Sequence, residues 1–306
     1  MNFSVEKKKI VVSGGTGFIG SWVVEKLLKR GACVRVIAKT SESLERLEYV
    51  KNKNKIEILV GDLKDPNFSK KAVDGCDAAF HLAALKKNAK FYSQHPGLVL
   101  LENVQITASF FEAIHVANIK KVVFISSSRT GHDWLNSSHF GYAWSKKIGE
   151  IFAEAYKREY LLETVVARVE NTFGPRDNFN IDSAQVIPAF IQRIISDKEN
   201  PLQIIGNPDE KRSFCYVEDV ANALISLLEN GETGVINISP SYNVSFREII
   251  NSIMIQSKIN LSVEFLKNNF HKEKDDIKTN IFQIKPLFTL DEAIKATVDW
   301  YKSKRI

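Results

Sequence analysis

Ile10-Val11-Val12-Ser13 runs straight into Gly14-Gly15-Thr16-Gly17-Phe18-Ile19-Gly20, and a helical pattern follows from Ile19 to Arg30. Glycine permits the tight turn, lets backbone approach a pyrophosphate, and lets helix and strand pack closely. The helix N-terminus then offers N–H groups and the positive end of its dipole to an anion. Both GxxGxxG and GxGxxG are present. With a strand before and a helix after, they predict a dinucleotide-binding turn made by Gly14, Gly15, Thr16, Gly17, Phe18, Ile19 and Gly20 rather than a chance cluster of glycines.

The same alternation continues outward. Ile10–Ser13, Val34–Ala38, Ile56–Val60, Ala78–Leu82, Val122–Ser126 and Thr164–Val169 read as strands, several apolar on both faces. Ile19–Arg30, Gly97–Asn118 and Gly141–Arg158 carry helical periodicity between them. Repeated βα units predict an α/β fold, a Rossmann doubly wound parallel sheet. After Val169 the clean alternation stops, and 171–180 is a loop rich in Gly, Pro, Asn and Asp. The expected division is a dinucleotide-binding domain over 1–172 with a return segment near 214–240, and a smaller C-terminal α/β substrate lobe over 173–213 and 241–306.

Composition narrows the class. With 306 residues, 44% apolar and 25% charged, the chain can bury a large core and reads as a globular enzyme. No apolar run reaches the length of a membrane span, and the N-terminal apolar run is too short for a signal peptide. Cys33, Cys76 and Cys215 share no metal-ligand spacing and the six histidines form no cluster, so no metal site is expected. The net charge of +6 is spread over scattered lysines without a nucleic-acid motif, which points to a solvated surface with a weak pull on small anions. A cytoplasmic protein that binds neither nucleic acid nor membrane is expected. At the end of the second strand, where an NAD site carries a carboxylate for the ribose hydroxyls, the chain has Ala38-Lys39-Thr40-Ser41. A cation and hydroxyls there suit a 2′-phosphate, so NADP is favoured over NAD.

Tyr142 and Lys146 stand four apart on one helical face. A tyrosine is a poor acid–base catalyst at neutral pH unless positive charge nearby favours its phenolate. Lys146 and an oxidised nicotinamide would supply that charge. Ser126-Ser127-Ser128 ends a predicted strand, where α/β sheets place their ligands, and a hydroxyl there can hydrogen-bond the reacting oxygen.

In their order along the chain, GGTGFIG, Gly61-Asp62-Leu63, His81-Leu82-Ala83-Ala84, the serine run and YxxxK resemble the extended short-chain dehydrogenases/reductases. The resemblance covers nearly the whole chain. It implies that Asp62 and Leu63 meet the adenine, that Leu82, Ala83 and Ala84 line the cofactor, that Asn103 matches an asparagine of the fourth helix, and that Ser127 is the catalytic serine. The segment Arg168-Val169-Glu170-Asn171-Thr172-Phe173-Gly174-Pro175 and Val186-Ile187-Pro188 resemble NAD(P)-dependent nucleotide-sugar epimerases, dehydratases and reductases, closest to the GDP-fucose synthase group. This implies Asn171 and Val186 at the substrate, and Arg193 and Arg212 gripping its diphosphate. It also implies a homodimer formed through the YxxxK helix and the helix before it, where Phe110, Phe111, Ile148, Ile151 and Phe152 could serve; the same residues could equally pack on the sheet.

Departures from that pattern select the reaction. Dehydratases carry Asp-Glu after the catalytic serine, where this chain has Ser128-Arg129, both then expected at the substrate. The epimerising histidine of GDP-fucose synthase corresponds to Gln185. Arginine and glutamine do not shuttle protons near neutral pH. What remains is hydride transfer at C4 of a nucleotide-diphosphate sugar by Ser127, Tyr142 and Lys146, in a 4-keto reductase or 4-dehydrogenase. A 4-epimerase, a dihydroflavonol-reductase-like carbonyl reductase and a non-catalytic dinucleotide sensor are the alternatives. His132, Asp133 and His139 lie between Ser127 and Tyr142 as further acid–base candidates.

Overall fold

A computed structural model describes residues 3–131, 139–266 and 280–304. The first half alternates as β1 (Lys9–Ser13), α1 (Phe18–Lys29), β2 (Cys33–Ala38), β3 (Ile56–Val60), α2 (Pro66–Val73), β4 (Ala78–His81), α3 (Ala89–Gln94), α4 (Pro96–Val116), β5 (Lys121–Ser127), α5 (Phe140–Tyr160) and β6 (Glu163–Val169). Then come β7 (Asn171–Phe173), α6 (Val186–Gln192), β8 (Leu202–Ile205), β9 (Lys211–Tyr216), α7 (Val217–Glu229), β10 (Gly234–Ile238), β11 (Tyr242–Ser245), α8 (Phe246–Ser257), β12 (Val263–Leu266), β13 (Ile281–Phe282) and α9 (Leu290–Ser303). The chain forms two compact units: Met1–Val169 with Val220–Ile238 and Asp276–Phe282, and Glu170–Asp219 with Ser239–Asp275 and Gln283–Ile306.

In the first unit eight strands run in the order β13-β10-β6-β5-β4-β1-β2-β3, each pair of neighbours parallel. This is the doubly wound sheet expected from the βα alternation. The order reverses between β1 and β4, whose last residues Ser13 and His81 are partners in register. Such a reversal opens a crevice beyond the carboxyl ends of the strands, where α/β sheets bind ligands. Valines and isoleucines fill the strands because branched side chains suit a surface buried on both faces. Among the described residues α4 is the one helix long and apolar enough, by length and composition, to cross a membrane. Its Val99, Ile106, Phe110 and Ile114 are buried inside this unit.

Phe110 and Phe111 have no exposed surface; they pack in a core with Val11, Val122 and Phe124. Of the two placements open to them in sequence, these two take the core and are unavailable for a subunit contact. Phe152 is only partly buried and stacks on Phe111 at 6.2 Å between ring centroids. An even apolar pattern on α4 does not tell from sequence which phenylalanines turn inward.

The second unit has a three-stranded sheet in the order β11-β9-β7 and the pair β12-β8. Its core gathers Phe173, Ile191, Phe214, Tyr216, Ile249 and Ile294. Capping boxes at Ser245/Glu248 and Thr289/Glu292 set the starts of α8 and α9 by satisfying N–H groups left open in a first turn.

Candidate active site

The glycine turn is built by close approach. Gly14 sits at φ +71, and a Cβ there would lie 2.6 Å from the backbone nitrogen of Ala83. A Cβ on Gly20 would fall 2.0 Å from the Gly14 carbonyl oxygen. Gly17 caps α1 with no side-chain hydrogen bond, and no acidic residue stands in the first turn. That helix end is left electrically positive, as an anion site requires. Thr16, Gly17, Phe18 and Ile19 are partly buried around it, and Gly15 is buried against Val36. Gly20→Ala must push this turn apart. It is expected to weaken dinucleotide binding at least about 100-fold by fluorescence titration, because the clash is with backbone and cannot relax by rotation.

The strand ends are tied together behind the turn. Ser13 Oγ lies 2.8 Å from His81 Nδ1, and the Ala83 N–H donates to Ser13 Oγ at 3.4 Å. His81 Nε2 lies 3.2 Å from Thr107 Oγ1, and the ring stacks on Phe110 at 4.6 Å. Burial first, then the charge of Lys146, lowers His81 to about 3, so it is a neutral bridge at physiological pH. Leu82, Ala83 and Ala84 follow it, partly buried. Asn103 accepts the Leu85 N–H at 2.6 Å and donates to Ser145 Oγ at 3.2 Å. Its amide thus braces the loop after β4 rather than pointing a free group at a ligand. Leu63 packs in the core at 6% exposure. Asp62 accepts the Lys64 N–H at 2.9 Å and stands 3.6 Å from Lys39 Nζ, with Glu102 3.9 Å from the same ammonium.

Ser127 ends β5, and Tyr142 and Lys146 ride on α5. Gly149 lets α5 close on β5, and Gly141 lets it close on the start of α4. A Cβ at either would lie 2.1 Å from the Pro96 carbonyl oxygen or 2.2 Å from the Phe124 ring. Lys146 is buried and donates to the Ile125 carbonyl at 2.9 Å, two residues before Ser127. Burial, with a contribution from Lys86, lowers its amine to about 7. Burial raises Tyr142 to about 12, and the cation opposing that rise is Arg129. The sequence reading gave that electrostatic role to Lys146; the desolvated amine instead resists its own charge. Ser128 is buried, and the Arg129 N–H donates to Ser127 Oγ at 3.3 Å. His139 is held at about 4, by burial first and Arg129 second. His132 and Asp133 lie outside the described residues.

Sequence reasoning missed Glu150. Its buried carboxylate accepts Ser126 Oγ at 2.7 Å, Thr130 Oγ1 at 2.8 Å, and both arms of the Arg168 fork at 2.8 and 2.7 Å. Burial alone would raise its pKa, but the hydrogen bonds and charge of these partners outweigh it and hold the carboxyl below the ordinary range. Ser127 lies between two of its hydroxyl partners. The signal was the spacing Tyr142, Lys146, Glu150, which puts three polar groups on one helix face.

In the second unit Val186, Arg193, Gln185, Phe190 and Phe246 line a cavity of about 310 Å³. The Arg193 fork is spent on Glu199, at 2.6 and 2.7 Å, and on the Gln203 carbonyl, so it forms a wall rather than a free anion grip. Arg212 is exposed, lies over the Phe246 ring at 4.8 Å and stands 3.5 Å from Glu210. Asn171, exposed on β7, donates to the Ser213 carbonyl at 3.3 Å.

Residues 10–244 match the model of the NAD dependent epimerase/dehydratase family. A dTDP-4-dehydro-6-deoxy-D-allose reductase of a Streptomyces species is 27% identical, over 81% of this chain and 80% of its own. The structure of a UDP-N-acetylglucosamine 4-epimerase from Methanobrevibacter ruminantium, in complex with UDP-N-acetylmuramic acid, is 30% identical, with TM-score 0.81 over 98% of this chain and 99% of the other. The Thermus thermophilus UDP-glucose 4-epimerase complex with NAD shares the fold at TM-score 0.76 and 23% identity, covering 96% of this chain and 99% of that one. The glycine turn, the order of the sheet and the family match lead to one assignment: the chain belongs to the NAD-dependent epimerase/dehydratase family.

Proposed function

We propose that this protein transfers hydride at C4 of a nucleotide-diphosphate sugar, as a 4-keto reductase or 4-dehydrogenase. The observation that carries the reading is the set Ser127, Tyr142 and Lys146 on one strand end and one helix, followed by Ser128 and Arg129 where elimination chemistry would need carboxylates. A nicotinamide dinucleotide supplies or accepts the hydride. The residues fit it: Gly14 and Gly20 let the turn close on backbone that a Cβ would strike, and the N-terminus of α1, with no side-chain cap and no acidic residue in its first turn, would hold the pyrophosphate. Ser127 Oγ hydrogen-bonds the sugar oxygen, and Tyr142 Oη gives that oxygen a proton on reduction or takes one on oxidation. Lys146, anchored on the Ile125 carbonyl, would hold the nicotinamide ribose. In the second unit Asn171, Val186 and Arg212 are the residues proposed for the nucleotide part of the substrate.

The test offers purified protein a 4-keto and a 4-hydroxy nucleotide sugar with each reduced or oxidised cofactor, following absorbance and product by NMR. Stoichiometric cofactor consumption is expected. No change at C4 of any nucleotide sugar would overturn the proposal. The 30% identity over 98% of the chain with a UDP-N-acetylglucosamine 4-epimerase supports the second reading, a 4-epimerase. That reading requires interconverted C4 epimers with no net cofactor consumed.

Lys39 is the group offered to a 2′-phosphate, while Asp62 and Glu102 beside it oppose a second anion. On balance the ammonium of Lys39 favours NADP over NAD. Lys39→Ala is expected to weaken NADPH binding about tenfold and leave NADH unchanged, read by calorimetric titration. An unchanged NADPH affinity would remove Lys39 from the site. Ile151, at 56% exposure, together with Leu98, Leu101 and Trp144, supports pairing of two copies through α4 and α5. A dimer mass by light scattering at micromolar concentration is expected.

A further inference from the structure

Tyr142 is the third residue of α5, within the first turn, where helix N–H groups lack intrahelical partners and the backbone is held least firmly. Its ring therefore depends on what it packs against. Tyr92 provides that surface: the two rings stack with centroids 5.0 Å apart and planes 16° from parallel. Tyr92 is itself fixed at both ends. It is 4% exposed, and its hydroxyl accepts the Lys87 N–H at 2.9 Å. Its helix, α3, is started by Asn88, whose side chain accepts the Phe91 N–H at 3.0 Å. The loop leading there is pinned by Leu85 N–H on Asn103 and Ala83 N–H on Ser13. The crevice end of β1 is thus connected, through a braced loop, to one face of the Tyr142 ring.

Given the reading of Tyr142 as the proton-transfer group, we propose that Tyr92 is a positioning residue: its ring is the platform that fixes the Tyr142 ring and the direction in which it presents its hydroxyl. The flat face acts, and the Tyr92 hydroxyl serves only to hold it. Tyr92→Phe therefore leaves the ring in place and removes only the hydrogen bond from the Lys87 N–H.

Two substitutions separate ring from hydroxyl. Tyr92→Phe keeps the platform and is expected to stay within about threefold of the parent kcat. Tyr92→Leu removes it and is expected to lower kcat about 30-fold, with KM and dinucleotide Kd within about twofold. That loss lies between the worth of one aromatic pair and the cost of a misplacement of about 1 Å. Equal losses in the two variants, parent-like kcat in Tyr92→Leu, or a joint collapse of kcat, KM and Kd would each overturn the platform. Should Tyr92→Leu not fold, Tyr92→Trp takes its place in reverse: an aromatic face without the hydroxyl must keep at least about a tenth of parent kcat. In tyrosine-labelled protein the Tyr142 ring resonance, assigned by its loss in Tyr142→Phe, must shift in Tyr92→Leu. That readout needs no turnover. A parent that acts on no nucleotide sugar would therefore fail the proposed function, whereas an unshifted Tyr142 signal would fail the platform.

Discussion

Tyr142→Phe lowers turnover about 1,000-fold or more while dinucleotide affinity stays within about twofold. The substitution removes one oxygen and leaves the ring, so the stack on Tyr92 and the close packing of α5 at Gly141 persist. What disappears is the only group in the proposed mechanism that exchanges a proton with the sugar oxygen, a role worth roughly 100- to 10,000-fold. Ser127 remains as a hydrogen-bond donor, and His139, lowered to about 4, is a weak base. Single-turnover kinetics with the cofactor bound separates this loss from binding. Residual activity above a tenth of the parent would assign proton transfer elsewhere.

Lys146→Met likewise abolishes turnover, and it makes the protein more stable at neutral pH. The amine is buried at 4% exposure, and burial lowers it from 10.5 to about 7. Below about pH 7 the folded chain carries a desolvated ammonium, and the burial cost is present in full. Between about 7 and 10.5 the unfolded chain holds more protons than the folded one, so stability rises with pH and the cost fades. Methionine carries no such cost but forfeits the hydrogen bond to Ile125, worth about 1 kcal/mol. A net gain on the order of 2–3 kcal/mol follows near pH 7, shrinking toward pH 10. Thermal melts of both proteins at the two pH values check it, and a gain of about 5 °C at neutral pH is expected. A Met variant that melts below the parent near pH 7, or a gap that does not change with pH, would contradict the buried-amine account. The stability that Lys146 forfeits is the ordinary cost of placing a functional polar group in a dry site.

The sequence by itself determined the parallel sheet, because its signals are local. β-branched runs of strand length, helical periodicity between them, and a glycine turn joining the first pair each act within a few residues. The six strands read from Ile10 to Val169 stand where they were read, within about two residues at each end. Tyr142 and Lys146 were legible too, since their spacing on a helix needs no tertiary information.

Only the tertiary structure decided which partners meet across distance. Arg193 is given to Glu199, Asn103 to Leu85 and Ser145, and Phe110 and Phe111 to the core instead of a subunit contact. Glu150 beneath the serine turn and Tyr92 beneath Tyr142 also come from separate elements. The physical reason is the same in each case. Periodicity says that a side chain leaves a given helix or strand, but its charge state and contacts depend on what the folded chain places opposite it. Lys146 shows the difference most sharply: a lysine of ordinary appearance in sequence becomes an amine lowered to about 7 because folding removes its water.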